Sequence, residues 1–237
     1  MRGLFVTGTD TGAGKSVLSA ALLAAIAAAG EAVRAFKPVV TGLQEPAPRD
    51  PVTGASWPAD HVLLAQAAGM HPEDVAPLRF GPAVSPHLAA ELAGTPIDAR
   101  RLLSDAHAGD PRAILIAEGV GGLLVPLTET FTVCDFAAKL DLPLLIAARP
   151  GLGTINHTLL TLRAARSAGL RVAAVVLTPW PSEPGMIEVS NLRTIERMGE
   201  VEVARLAHIS APVPAELAAA GDALPWRRWL ADGAAAG

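Results

Sequence analysis

The chain has 237 residues, 51% of them hydrophobic, and a formal net charge of −4. That length admits one large α/β domain or two small ones, and a mildly acidic chain without a basic run sets aside nucleic-acid binding. The single cysteine, Cys134, excludes an intrachain disulfide and suits a reducing compartment.

The apolar run Gly3–Thr7 reads as a strand at the N-terminus, so no signal peptide is expected. Residues 8–16 follow, Gly-Thr-Asp-Thr-Gly-Ala-Gly-Lys-Ser, and then an Ala/Leu-rich segment, Lys15–Ala29, that reads as a helix. Strand, glycine loop and helix in that order make a phosphate cradle. Backbone N–H groups wrap the anion, and the helix N-terminus adds partial positive charge. The expected nucleotide contacts are Gly8, Asp10, Thr11, Gly12, Ala13, Gly14, Lys15, Ser16 and Val17. Lys15 reaches the β- and γ-phosphates, and the Ser16 hydroxyl binds Mg²⁺. Five residues separate Gly8 from Gly14, where the common P-loop has four. The alternative is a glycine turn with no ligand, which leaves Lys15 without a partner in a strand–helix corner, a costly arrangement if buried. The longest apolar stretch, Val17–Ala29, has about 13 residues, too few to span a bilayer, so a cytoplasmic location is expected.

The next strand, Val33–Pro38, runs into Lys37-Pro-Val-Val-Thr-Gly42. Lysine is scarce here (Lys15, Lys37 and Lys139 only). Lys37, leaving the carboxyl edge of a sheet, is placed to serve as a compact charge near the phosphates; the alternative is a snorkelling surface lysine. Leu43–Pro58, rich in Pro, Gly and Asp, reads as a loop without secondary structure. Asp60 opens the helix Asp60–Ala68 as its N-cap and is also the candidate for a second Mg²⁺ carboxylate. Ser85-Pro86-His87 caps and starts the helix Pro86–Ala93, with a substrate contact available at Pro86. A further helix spans Ala99–Ala108.

The strand Ala113–Ala117 ends in Glu118-Gly-Val-Gly-Gly122. An acid closing an apolar strand is the Walker-B arrangement, with Glu118 in place of Asp and Mg²⁺ ligation, direct or through water, as its role. The alternative is a solvated strand-end Glu. The glycines, Gly121 among them, let backbone approach a ligand. Cys134 lies in the helix Val133–Leu140 as a small buried hydrophobe. After the strand Pro143–Ala147, Gly151-Leu-Gly-Thr-Ile-Asn-His-Thr158 opens the helix Thr154–Ala168. Its free N–H groups suit a second anion such as a substrate carboxylate; simple capping by Thr154 is the alternative, and His157 is structural or solvated. The strand Val172–Leu177, the helix Gly185–Met198 and a weaker strand, Val203–Ile209, follow. Gly30 and Gly169 stand where helix C-caps belong. The C-terminal residues, about 232–237, are expected to fray. Short apolar strands alternating with helices give an α/β fold: a parallel central sheet with helices on both faces, one domain over 1–237, its chemistry at the strands' carboxyl ends.

In series, the motifs at 8–16, 37–42, 85–87, 118–126 and 151–158 resemble those of the dethiobiotin synthetase family over nearly the whole chain, the five-residue loop spacing included. The resemblance implies ATP-dependent closure of a cyclic urea from 7,8-diaminopelargonate and CO₂ in biotin biosynthesis, through a carbamate and a carbamic–phosphoric anhydride. It implies Lys15 and Lys37 beside the γ-phosphate and carbamate, and Thr11 and Thr41 donating to the carbamate. Ser16, Asp60 and Glu118 would hold Mg²⁺. It also implies a homodimer in which Gly151, Leu152, Gly153, Thr154 and Asn156 of one subunit meet the substrate carboxylate of the other. The base would lie near Thr178–Trp180 and Ala211–Pro214, with Thr178, Pro179 and Pro212 as contacts. Two departures stand out. Gly12 replaces a Glu of some members, and Thr178 replaces a base-reading Asn, which puts the adenine preference in doubt and opens the site to CTP or other triphosphates. Other synthetases of the cobyrinate type need a glutamine-hydrolysing domain for which there is no room. ParA/MinD-like positioning ATPases carry a loop lysine where this chain has Asp10.

Overall fold

Leu4 and Val6 face one side of the first strand and Phe5 the other, and all three are completely buried. That alternation recurs in every inner strand of the sheet and divides the core into two layers. The structure is a computed structural model that describes residues 1–50 and 53–234. Its main sheet contains β1 (Gly3–Gly8), β2 (Val33–Phe36), β5 (Ile114–Glu118), β6 (Leu144–Ala148), β7 (Val172–Trp180) and β8 (Val203–Ala207). The strands are all parallel, in the order β2-β5-β1-β6-β7-β8. A separate two-stranded parallel sheet pairs β3 (Val39–Val40) with β4 (Leu78–Arg79).

On one face lie α1 (Lys15–Ala28), α2 (Asp60–Ala68), α9 (Pro214–Asp222) and α10 (Trp226–Ala234). Leu18, Leu22, Trp226 and Trp229 meet Leu4, Val6 and Ile116 there. α9 lies so close to α1 that a Cβ added at Gly221 would stand 2.0 Å from the Ala21 carbonyl oxygen, so only glycine fits. On the other face α5 (Ala99–His107), α6 (Val133–Leu140), α7 (Thr154–Ser167) and α8 (Met186–Gly199) cover Phe5, Leu115 and Ile146 with Leu102, Phe136, Leu162 and Ile195. Phe136 packs edge-on against Phe5, ring centroids 6.1 Å apart. The short helices α3 (Pro72–Val75) and α4 (Pro86–Leu92) flank the β3–β4 pair.

Six of the expected strands and seven of the expected helices are present, with ends within three residues of expectation. Four local expectations are corrected. Ala59 is the N-cap of α2, and Asp60 is its first helical residue. α7 is capped by Gly153 in a left-handed conformation, and Thr154 makes no capping hydrogen bond; its Oγ1 lies 3.4 Å from that of Thr158. Ser85 stands at the N-cap of α4 without a side-chain cap. The 43–58 segment is not structureless: Arg49 and Ser56 form an antiparallel bridge, and the Trp57 amide donates to the Pro48 carbonyl at 2.8 Å. Pro51 and Val52 of that segment lie outside the described residues. At the C-terminus α10 continues to Ala234, and the rest of the expected frayed end, 235–237, also lies outside them. Among the described residues no helix is long and apolar enough to cross a membrane.

Candidate active site

The parallel register brings the ends of β1, β2 and β5 to one edge: Val6 pairs with Glu118, and Phe36 with Ala117. Each strand releases one polar element there. β1 gives way to the glycine loop, β2 to Lys37, and β5 ends on Glu118 itself. A cavity of about 690 Å³ opens at this edge. Thr11, Gly12, Gly14, Lys15, Ser16, Val17, Lys37, Thr41, Asp60, Pro86 and Gly121 line it, as the sequence leads one to expect. So do Pro48, Trp57, Pro58 and Leu63, for which the sequence reading had no role.

The charged groups form one network. Lys37 is 3% exposed and Glu118 not at all. Lys37 Nζ donates to Glu118 Oε1 at 2.6 Å and to Asp60 Oδ2 at 2.5 Å, and Ser16 Oγ donates to Glu118 Oε1 at 2.8 Å. The surface-lysine and solvated-glutamate alternatives therefore fail. Burial alone would lower the Lys37 pKa, but attraction to Asp60 and Glu118 outweighs it and raises the value above the ordinary lysine value. Burial likewise works to raise the Asp60 pKa, and Lys37 overcomes it, so the carboxylate is held ionised. Lys15 is shifted the other way: burial, then repulsion from Lys37, lowers its pKa. Its Nζ donates to the Asp10 carbonyl at 3.0 Å and lines the cavity, a cation at a loop built for phosphate. Two lysines and two carboxylates leave this network neutral, so an added polyphosphate meets two ammonium groups already in place.

Gly14 shows why the loop needs glycine. Its φ is +86°, and a Cβ would stand 2.6 Å from Thr178 Cγ2. At Gly12, with φ +77°, a Cβ would meet nothing within 4 Å, so this position faces open space.

The donor set also fits Mg²⁺. Glu118 Oε2 is buried and without a hydrogen-bond partner, Ser16 offers a hydroxyl, and Asp60 a carboxylate 44% exposed beside the cavity. No cluster of three or more His, Cys, Asp or Glu that could hold a metal occurs among the described residues, so phosphate oxygens would have to complete the shell, as is usual for Mg²⁺.

Other expected contacts lie elsewhere. Gly151, Leu152 and Thr154 line a second cavity of about 430 Å³ with Thr9, Arg149, His157 and Pro179. Gly153 and Asn156 line neither cavity, and Leu152 is 95% exposed. Thr178, 2% exposed, packs behind Gly14, and neither it nor Pro179 nor Pro212 lines the large cavity. Gly8 is boxed in by Lys15, Ala13 is fully buried, and Asp10 accepts from Arg149 at 3.3 Å. Cys134 is buried, and burial pushes its thiol pKa up, as for an inert core residue.

An AAA domain family model matches residues 2–212. The chain is 38% identical over 219 residues to the ATP-dependent dethiobiotin synthetase BioD of Mycobacterium sp. (strain KMS), covering 90% of this chain and 91% of that one. It is 44% identical over 178 residues to the BioD of Anaeromyxobacter sp. (strain K), covering 75% and 76%. To that of Bacillus subtilis (strain 168) it is 36% identical over 206 residues, covering 86% and 85%. Among solved structures, the cell division ATPase MinD of Pyrococcus furiosus superposes with a TM-score of 0.50 at 17% identity, covering 99% of each chain. At that identity the likeness shows a shared fold only.

Proposed function

The chain belongs to the ATP-dependent dethiobiotin synthetase family, and from that membership we propose that it closes the ureido ring of dethiobiotin from 7,8-diaminopelargonate, CO₂ and a nucleoside triphosphate. It is an ATP-dependent ligase of biotin biosynthesis, and the whole chain, 1–237, acts as one synthetase domain. The observation that carries the finer reading is the Lys37–Glu118–Asp60–Ser16 network, of which Lys37, Asp60 and Ser16 line the cavity together with Lys15.

The reaction follows from what this cavity can hold. One amine of the diamino acid adds to CO₂ and loses a proton, giving a carbamate. A carbamate oxygen attacks the γ-phosphorus and the nucleoside diphosphate leaves. The second amine then attacks the carbamoyl carbon, loses its proton and expels inorganic phosphate as the ring closes. Carbamate and triphosphate bring several negative charges together. Lys15, already on the phosphate loop, and Lys37, kept protonated by its carboxylates, neutralise them. Thr11 and Thr41 line the same cavity and donate to the carbamate. Pro86 and Gly121 bound the space in which the two amines are held, and this positioning is the larger part of the task. Ser16, Asp60 and Glu118 would hold Mg²⁺, which when bound supplies charge neutralisation for the phosphates.

We further propose a cytoplasmic homodimer whose second cavity, with Gly151–Asn156 at the start of α7, receives the carboxylate of a substrate bound mainly by the other subunit. The exposed Leu152 supports that reading. The mechanism has an isotopic test. With ¹⁸O-labelled CO₂, the phosphate released should carry one labelled oxygen, because the attacking carbamate oxygen stays on phosphorus. Unlabelled phosphate alongside dethiobiotin would exclude the anhydride.

A further inference from the structure

The residues that α8 buries, Asn191, Ile195 and Gly199, recur four positions apart, and by that spacing an apolar side chain would suit position 191. Asn191 is 7% exposed, and a buried amide is costly unless it is hydrogen-bonded. Its Nδ2 donates to the Pro150 carbonyl at 2.9 Å and to the Gly151 carbonyl at 3.0 Å, 41 and 40 positions back in the chain. Both amide protons are therefore used on consecutive carbonyls of the turn from β6 into α7. The turn's own bonds are longer: the Thr154 amide donates to the Gly151 carbonyl at 3.3 Å, and the His157 amide to the Gly153 carbonyl at 3.4 Å. No side chain caps α7, and the glycines at 151 and 153 leave the backbone free to adopt other conformations. The 150–151 and 151–152 peptide links are trans, and in a trans peptide the C=O and N–H point in opposite directions. Carbonyls turned onto Asn191 therefore turn the Gly151 and Leu152 N–H groups away from α8. Among the described residues neither N–H donates to a protein acceptor. Pro150, Gly151 and Leu152 line the second cavity.

From this geometry we infer that Asn191 is a positioning residue: by holding the Pro150 and Gly151 carbonyls it fixes the Gly151 and Leu152 N–H groups as a preformed receptor for the carboxylate of the diamino acid. The inference rests on the proposed reading of the second cavity as the carboxylate site. Asn191 acts from beneath the turn, through the backbone, and its own amide is already committed. A carboxylate accepts readily from neighbouring backbone N–H groups at a helix start. Without the anchor, a turn with two glycines would have to be ordered each time substrate binds, and that entropy would be lost from the binding of the diamino acid. The phosphate loop and the Lys37 network line the other cavity, so the effect should fall on recognition of the carboxylate and leave triphosphate binding alone.

The test compares 7,8-diaminopelargonate with 2,3-diaminononane, the same vicinal diamine with a methyl group where the carboxylate stands, in the native protein, N191L and N191D. Both variants keep much of the side-chain volume, and neither carries the two N–H donors. The native protein should favour the diamino acid by about tenfold or more in kcat/KM. N191L and N191D should lose most of that preference through a raised KM for the diamino acid, with KM for ATP within about twofold of native. A general loss of stability would lower the rates with both diamines alike and leave the preference in place, so the ratio separates positioning from folding. A preference kept in both variants overturns the inference and gives the carboxylate to another group of that cavity, such as Arg149. A native protein that shows no preference removes the carboxylate reading of the second cavity, and the inference with it. Should neither variant fold, the native protein decides: the Gly151 and Leu152 amide resonances should shift when the diamino acid binds and stay in place with 2,3-diaminononane, and amides that respond to neither overturn the inference.

Discussion

Replacing Lys37 by Met keeps most of the side-chain volume and removes the charge. Glu118, fully buried, then loses the ammonium at 2.6 Å, and Asp60 the one at 2.5 Å, while the network goes from neutral to one net negative charge. Removing one member of a buried ion pair costs about 3–5 kcal/mol, because the other charge stays behind unpaired. For a domain of this size each kcal/mol moves Tm by roughly 2–4 °C, so Lys37→Met should melt about 10 °C lower at neutral pH. The deficit should depend on pH with a definite sign. In the native protein Asp60 has a lowered pKa, so its contribution is present above the unfolded value and is lost as pH falls through the folded one. In Lys37→Met that contribution is already absent, so the gap between variant and native protein narrows as acid removes it from the native protein too. Turnover should fall by about 10²–10³, since a preorganised cation aimed at the developing charge is gone. Calorimetry between pH 5 and 8 (with a reversibility check) and phosphate release measure both effects. A Tm within 2 °C of the native value, or a gap that widens as pH falls, would refute the account of the network.

Gly14→Ala combines a left-handed φ, costing about 1–2 kcal/mol in an L-residue, with overlap against Thr178 Cγ2 at 2.6 Å. Nucleotide binding by titration should weaken markedly, and adding Thr178→Ser, which removes that methyl, should restore part of the loss. Glu118→Gln should raise the Mg²⁺ concentration needed for half-maximal phosphate release by about tenfold or more, and chelation should abolish activity in the native protein. Leu152→Asp should convert a dimer to monomer in sedimentation and raise KM for the diamino acid more than KM for ATP; a native protein that is monomeric at all concentrations would contradict the shared site.

The local signals were strong enough to place the scaffold. α2 and α6 match expectation at both ends, and in α6 a capping box of Thr132 with Asp135 coincides with a clear apolar face. The strand-end residues Lys37 and Glu118 were legible as chemistry, yet their contact was not: they are 81 positions apart and meet only through the parallel pairing of β2 with β5. Two-residue strands such as β3 and β4 have no period to detect. α9 and α10 were missed although a signal existed, since Trp226, Trp229 and Leu230 recur at helical spacing and all three are buried. Trp57 was hidden by its setting. A Pro/Gly-rich stretch reads as a loop, and the one aromatic residue in it was the sign that part of the loop packs inward.

The most direct measurement is product formation. The protein is incubated with 7,8-diaminopelargonate, bicarbonate, Mg²⁺ and either ATP or CTP, and the product is followed by mass. The account predicts dethiobiotin and inorganic phosphate in equal amounts with both nucleotides. Triphosphate hydrolysis without dethiobiotin, or no product with any triphosphate, would contradict it.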